Sequence, residues 1–235
     1  MKVSYVIPVF NNAATLVALA NQLADCSFKN NWEHEIVFVD DCSRDNSLEV
    51  LSSIKKNTTV IKLKENNGQS TAVLLGLKYA SGDIAVAMDA DLQDRPDFIP
   101  KLVEKINDSV DVAFSGRSGR YENSSKLFSA KTFKYILHLL SKKRLPADAC
   151  MFFAIKKESI SPLLAYTGSK PYLLSIIARK KLNCISVPYI RAANNLSKSN
   201  YTFTKRWKVG MKGIMNFFFL HEKILPENAY SIVQH

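Results

Sequence analysis

Several things that would settle the class of this chain at once are missing from it. Cysteine is scarce, with 4 in 235 residues. Cys26, Cys42, Cys150 and Cys184 have neither the spacing of a metal site nor the density of a disulfide scaffold, which points to reduced thiols in a cytoplasmic chain. No Gly-x-Gly-x-x-Gly follows the first strand-like run and no Walker-type Gly-Lys-Ser/Thr loop occurs, so the dinucleotide and P-loop readings lose support. Long apolar runs are absent too: the strongest patch near the C-terminus, Met215–Leu220, is far too short to span a bilayer. The N-terminus, Met1-Lys2-Val3-Ser4, enters a strand-like run directly, without the pattern of a signal peptide. His34, His138, His221 and His235 stand isolated, as solvated or structural histidines do. Acidic residues are also in deficit, 21 against 32 Lys and Arg for a formal net charge of +11. Most of that excess lies after residue 115, and a basic surface implies anionic partners such as nucleotide phosphates or an acidic membrane face. Nucleic acid is the weakest of these, because no basic–aromatic strip or known binding module is present.

What the chain does have is alternation. Short apolar runs predict strands over Val3–Phe10, Glu35–Val39, Val60–Leu63 and Asp83–Met88. Between them lie helical patterns over Ala13–Ala24, Ser47–Lys55 and Ser70–Ala80, with a further one over Phe98–Ile106 after Pro96. Repeating β and α units of this length predict an α/β fold, a mostly parallel, Rossmann-like sheet with helices on both faces and a site at the strand ends. Beyond Asn107 the rhythm changes. Strands are expected over Val110–Ser115, Ala149–Ile155 and Leu182–Pro188, and helices over Lys126–Leu140, Pro171–Ala178 and Phe203–Leu220. No internal repeat or low-complexity linker interrupts this, which gives one domain over 1–210 and a helical tail over 211–235.

The chemistry is expected where strands end. Met88-Asp89-Ala90-Asp91-Leu92-Gln93-Asp94 places three carboxylates and an amide oxygen just past the fourth strand. Hard oxygen donors packed together repel one another unless a divalent cation neutralises them, and such a cation can grip phosphates. The alternative is an acidic turn in which Asp94 caps the following helix. Pro8-Val9-Phe10-Asn11, Asp40-Asp41 and Asn67-Gly68-Gln69 end the other strands and fall into the same crevice. An aromatic ring with a nearby carboxylate, Phe10 with Asp41, suits a nucleobase, with the carboxylate accepting its imide proton.

Those same motifs, Val6-Ile7-Pro8-Val9-Phe10-Asn11, Val37-Phe38-Val39-Asp40-Asp41-Cys42-Ser43-Arg44-Asp45, Asn67-Gly68-Gln69 and Asp89-Ala90-Asp91-Leu92-Gln93-Asp94, resemble a family 2 glycosyltransferase of the GT-A fold. The Leu-Gln after the Asp-x-Asp, and Lys198-Ser199-Asn200-Tyr201-Thr202-Phe203, are similar to the branch containing dolichol-phosphate mannose synthase and bacterial polyprenyl-phosphate sugar transferases. The resemblance spans roughly residues 3–210. It implies that Pro8, Phe10, Asn11, Asp40, Asp41, Asn67 and Gly68 surround the nucleotide, that Asp89 touches it, and that Asp91 and Gln93 bind Mg²⁺ or Mn²⁺ on the diphosphate. Arg117 and Arg120 would grip a phosphate, and Lys198, Ser199 and Tyr201 would close over the site. The chain departs from the family pattern at Asn12, where Glu is usual, and at Ser197, where Gly usually precedes the lysine. A third departure is Phe152-Phe153-Ala154, where the branch shows Phe-Arg-Leu and so has an arginine for a phosphate-bearing acceptor.

The expected function is therefore inverting, metal-dependent transfer of a sugar from a nucleotide diphosphate sugar, in bacterial surface polysaccharide synthesis. The acceptor is either a polyprenyl phosphate or the hydroxyl of a lipid-linked glycan. A phosphate oxygen is already anionic, whereas a hydroxyl needs a general base, for which Asp148 is the candidate by sequence order. The lack of a membrane-spanning run and the basic second half lead to the expectation of a cytoplasmic chain, peripheral at an anionic inner-membrane surface, with a homo-oligomer left open. The rival from another class is a degenerate, non-catalytic binding protein, which the basic second half fits and the intact Asp89, Asp91 and Gln93 oppose.

Overall fold

The computed structural model describes residues 1–117, 133–166, 171–189, 217–218 and 226–234. The first half follows the expected alternation: β1 (Lys2–Val9), α1 (Leu16–Lys29), β2 (Glu33–Asp40), α2 (Ser47–Ser53), β3 (Thr58–Leu63), α3 (Gln69–Tyr79) and β4 (Ile84–Ala87). A 3₁₀ turn over Pro96–Phe98 leads into α4 (Ile99–Val103), and β5 (Val112–Arg117) follows. The second half contributes α5 (133–140), β6 (Phe153–Lys156), α6 (Leu173–Arg179), β7 (Cys184–Tyr189) and β8 (Tyr230–Gln234). Within the expected helical tail, 217–218 are helical, but Tyr230–Gln234 is a strand.

All eight strands belong to one sheet in the order β7-β5-β6-β4-β1-β2-β3-β8. The pairs β1–β2, β2–β3, β1–β4 and β5–β7 are parallel, while β6 runs antiparallel between β4 and β5, and β8 antiparallel on β3. Because the chain builds outward from β1 to β2 and β3 and then returns to place β4 on the other side of β1, the strand order reverses between β1 and β4. A crevice opens at the carboxyl ends of the strands at such a reversal.

The pleat decides which helix covers which face. Val3, Tyr5, Ile7 and Val9 point to one side, where Leu16, Leu19 and Leu23 of α1, Leu51 of α2 and Leu102 of α4 bury them. Val6, Ala85, Ala87 and Phe114 point to the other, under Val73 and Leu74 of α3, Leu137 of α5 and Ile176 of α6. Both faces are covered, which is why the central strands read as continuous apolar runs instead of alternating ones. Helix α1 begins at Leu16, three residues later than expected, because Ala13 to Thr15 serve the site loops instead.

Candidate active site

The carboxyl ends of β1, β2, β3 and β4 each deliver one short loop, and the loops are tied to one another by side chains gripping backbone. Asn11, with φ of 56°, turns the chain sharply after β1. Its N–H donates to Ser43 Oγ at 3.0 Å, and its Oδ1 accepts from the Arg44 N–H at 2.8 Å. Asp45 accepts from the Ala13 N–H at 3.2 Å, the Ser47 N–H at 3.0 Å and the Ser47 hydroxyl at 2.6 Å. Burial pushes the Asp45 carboxyl up, but those hydrogen bonds, Ser47 first, together outweigh it and hold the group below the usual carboxylate range. Thr15 Oγ1 donates to the carbonyl of Ala90 at 2.6 Å and so fastens the β1 loop to the Asp89–Asp91 segment.

Asp40 and Asp41, at the end of β2, are both buried. Asp40 accepts from the Ser43 N–H at 3.3 Å. Asp41 is the more committed: Oδ1 accepts from the Asn67 N–H at 2.6 Å and Oδ2 from the Gly68 N–H at 2.8 Å. Thus the carboxylate expected to read a nucleobase holds the loop after β3. Gly68 stands at the head of α3 with φ of 87° and ψ of 157°, a backbone conformation that side chains disfavour. Next to it, Gln69 reaches across and donates through Nε2 to Asp89 Oδ1.

Pro8 is half-buried on β1, and Phe10 projects from the strand end with 44% of its surface exposed, so its ring is available to a ligand instead of serving the core. Asp91 borders a cleft of about 570 Å³ together with Asn11, Asn12, Thr15 and Asp45. One Asp91 oxygen accepts from the Gln93 N–H at 3.0 Å.

The expectation that Asp89, Asp91 and Asp94 crowd one spot is corrected here. Leu92 has φ of 59° and reverses the chain, and Asp94 is fully buried against a different cavity, of about 440 Å³, lined also by Gln22, Cys26 and Pro96. Asp94 does not cap the helix either: Arg95 occupies that position, and no side chain completes the cap. Among the described residues no group of three or more His, Cys, Asp or Glu is disposed to hold a metal ion. Oxygen donors at Asp91 and Gln93 suit Mg²⁺ or Mn²⁺, which accept a diphosphate and water for their remaining positions. Among the described residues, a divalent cation thus fits as a guest shared with a bound diphosphate.

On the far side of β4 the sheet presents a second set of groups. Arg117 ends β5, in register with Tyr189 of β7. Asp148, exposed, accepts from the Ser186 hydroxyl of β7 at 2.7 Å. It does so directly above Gly116, where an added Cβ would lie 2.2 Å from Asp148 Oδ2 and 2.1 Å from Ser186 Oγ. Tyr189 closes the floor: its hydroxyl accepts from the Arg95 N–H at 2.9 Å and reaches the carbonyl of Gln93 at 3.5 Å. Lys198 and Ser199, like Arg120 and Tyr201, lie outside the described residues. Sequence reading put Gln69 in the crevice without a contact and took Asp45 as a candidate cap for the helix near Ser47, where Asn46 stands instead, and it gave no role to Ser186 or Tyr189. For Gln69 its place after Asn67-Gly68 was a usable signal; for Ser186 none existed, since its partner is far along the chain.

A family model described as "Glycosyl transferase family 2" matches residues 4–164. The undecaprenyl-phosphate 4-deoxy-4-formamido-L-arabinose transferase of Pectobacterium atrosepticum is 31% identical over 210 residues, which are 86% of this chain and 63% of that protein. This chain thus spans less than two thirds of that relative's length. Among solved structures, glucosyl-3-phosphoglycerate synthase from Mycobacterium tuberculosis, in complex with Mn²⁺, uridine diphosphate and phosphoglyceric acid, superposes with a TM-score of 0.67 at 15% identity. That match covers 100% of this chain and 86% of the other. The same synthase with phosphoglyceric acid gives a TM-score of 0.66 at 18% identity, covering 92% and 78%. At these identities the structures speak for the fold.

Proposed function

The chain belongs to glycosyl transferase family 2 and has the GT-A fold, and from that premise we propose that it transfers a sugar, with inversion, from a nucleoside diphosphate sugar to a polyprenyl phosphate. The setting is the anionic face of a bacterial inner membrane, where the product feeds surface polysaccharide synthesis. One observation carries the donor half of this reading: Asp91 borders the cleft that Asn11, Thr15 and Asp45 also line, at the reversal point of the sheet. The relative 31% identical to this chain, named for undecaprenyl phosphate, supports the acceptor.

Residue by residue, Phe10 offers its exposed ring to the base, while Pro8, Asn11, Asp40, Asp41, Asn67 and Gly68 shape the walls around base and ribose. Asp89, steadied by Gln69, faces the nucleotide. Asp91 and Gln93 would hold Mg²⁺ or Mn²⁺, which supplies positive charge where the leaving diphosphate gains negative charge. Arg117, Lys198 and Ser199 are assigned to the phosphates of donor or acceptor. A phosphate acceptor needs no proton removed, so no base is required.

A second reading keeps the same donor chemistry with a sugar hydroxyl as acceptor. What favours it is Asp148, whose carboxylate is oriented by Ser186 at the side of the sheet away from the donor loops. The donor reading is tested by calorimetry with uridine and guanosine diphosphates, with and without Mn²⁺. Asp91→Ala should weaken Mn²⁺-dependent binding at least about tenfold. Equal binding by wild type and variant overturns the metal role.

A further inference from the structure

Six basic residues are brought together from two segments far apart in the chain. Lys142-Lys143-Arg144 follow α5, and Arg179-Lys180-Lys181 close α6. Nη1 of Arg144 donates to the carbonyl of Lys181 at 2.9 Å, so the two triplets meet at one corner, by the amino end of β7. Lys142, Lys143, Arg144, Arg179 and Lys181 are exposed there, and the Lys180 ammonium lies 4.9 Å from the centre of the Tyr166 ring. Lys142 and Lys143 both have positive φ, 54° and 63°, which is costly for two consecutive side-chain-bearing residues. Their turn is held from behind: the Lys143 N–H donates to the His138 carbonyl at 2.8 Å, and the Leu145 N–H to Ser141 Oγ at 3.0 Å. Beside this corner the Asp111 carboxylate is engaged with the Asn183 N–H at 2.8 Å and the Ser159 hydroxyl at 2.7 Å. From Phe133 to Ala147 the sequence contains no Asp or Glu.

The same element carries apolar groups outward. Helix α5 buries Phe133 and Leu137 but leaves Tyr135 56% and Leu139 48% exposed, one turn apart. At its upper end Phe133 meets the Tyr172 ring with centroids 5.2 Å apart, and the neighbouring Leu173 N–H donates to Ser70 Oγ at 3.1 Å, next to Gln69. The lower end of α5 runs into the basic corner. An apolar pair and a basic cluster therefore form one strip down the side of the molecule, from the edge that carries the candidate site to the opposite edge.

We propose that this strip is a membrane-docking surface for anionic lipid, resting on the reading that the acceptor is lipid-borne. Tyr135 and Leu139 enter the headgroup layer, and Lys142, Lys143, Arg144, Arg179, Lys180 and Lys181 face the lipid phosphates. Contact along α5 sets the sheet side-on to the bilayer, with the carboxyl ends of the strands at one end of the contact and open to a headgroup. A nucleic acid would use the cations but has no use for the apolar pair, so lipid is the better fit.

Sedimentation of the full chain with vesicles of phosphatidylcholine, with and without phosphatidylglycerol, tests this. Each cation near an anionic surface adds roughly fivefold to partitioning, so Lys142→Gln/Lys143→Gln/Lys181→Gln should lower binding about a hundredfold. Tyr135→Ser/Leu139→Ser should lower it roughly tenfold, and added salt should weaken the wild type. Both variants should bind uridine or guanosine diphosphate with Mn²⁺ as the wild type does, which shows that they fold and separates this test from that of the donor reading. Three results would overturn the proposal: equal binding to neutral and anionic vesicles, variants that sediment like the wild type, or displacement by a short nucleic-acid duplex with no effect of the Tyr135/Leu139 change.

Discussion

The two sides of the sheet are built differently. On the β1–β2–β3 side, every loop at the carboxyl edge is fastened to another by a side chain gripping backbone: Asn11 to Arg44, Asp45 to Ala13, Asp41 to Asn67 and Gly68, Thr15 to Ala90. On the β5–β6–β7 side, one exposed contact, Ser186 to Asp148, orients the polar group nearest the sheet. A mesh of hydrogen bonds running from loop to loop presets the shape of a pocket before a ligand arrives. Among the described residues Asp148 itself is held by that one exposed bond, which ties it to no other loop of the carboxyl edge. On the proposed reading, the tied side suits a donor site of constant shape, and the other side, where the Phe152-Phe153-Ala154 departure from the family pattern also falls, suits the choice of acceptor.

The largest expected effect breaks the comparison on its loose side. If a sugar hydroxyl is the acceptor, Asp148→Asn should lower turnover by about 10²–10⁴-fold while donor affinity stays. With polyprenyl phosphate it should cost little. Initial rates with each acceptor, beside donor binding, decide between them. Gly116→Ala should mimic the Asp148 change, because the added methyl occupies the space of the Asp148 and Ser186 oxygens. If Gly116→Ala has wild-type rates with the acceptor that Asp148→Asn impairs, the orienting role of this contact is wrong.

Next comes the tight side. Asp41→Ala leaves two backbone N–H groups without their acceptor and should destabilise the fold by about 2–4 kcal/mol, read by chemical denaturation. It should also weaken nucleoside diphosphate binding more than Asp148→Asn does. Should the two variants prove equally stable, the donor mesh is no more structural than the acceptor side.

The smallest effect sharpens the comparison from below the sheet. Burial raises the Glu35 carboxyl, but hydrogen bonds from Lys2, Ser4 and Ser81 outweigh it and hold the group at about 2, against an ordinary value of 4.5. A depressed carboxyl stabilises the folded chain above its unfolded value and loses that contribution as pH falls through the folded one. Stability should therefore decline between about pH 4.5 and pH 2, and Glu35→Gln should flatten that decline while lowering neutral-pH stability by about 1–2 kcal/mol. Identical acid profiles for variant and wild type would refute it.

How much of this was legible beforehand follows the same division. Strands β1 to β4 were readable because parallel strands covered on both faces are apolar runs, and α1 to α3 because their apolar residues recur at helical spacing. The antiparallel insertion of β6 between β4 and β5 was not, since pairing partners are chosen by the whole sheet and leave no mark in a four-residue strand. Nor could Tyr230–Gln234 be told from a continuing helix by periodicity, its five residues being too few. At the site, the acidic segment after β4 was found, but its convergence was misjudged: only the backbone shows that Leu92 reverses the chain and sends Asp94 elsewhere. Asp148 was placed by order along the chain, whereas its partner on β7 required the fold.

The antiparallel pairing of β8 with β3 has a consequence for how the chain is made. Leu63 meets Tyr230, whose ring joins Val37, Ile61 and Leu75 in the core and whose hydroxyl meets those of Tyr79 and, through its ammonium, Lys78. During synthesis β3 is complete long before its neighbour exists, so the nascent sheet carries an open flank until the last described residues emerge. Contacts this distant in sequence close slowly. Meanwhile the bare edge of β3 is a template for any other strand that drifts past. The five residues of β8 close that flank late and become the outer strand of the finished sheet in its place.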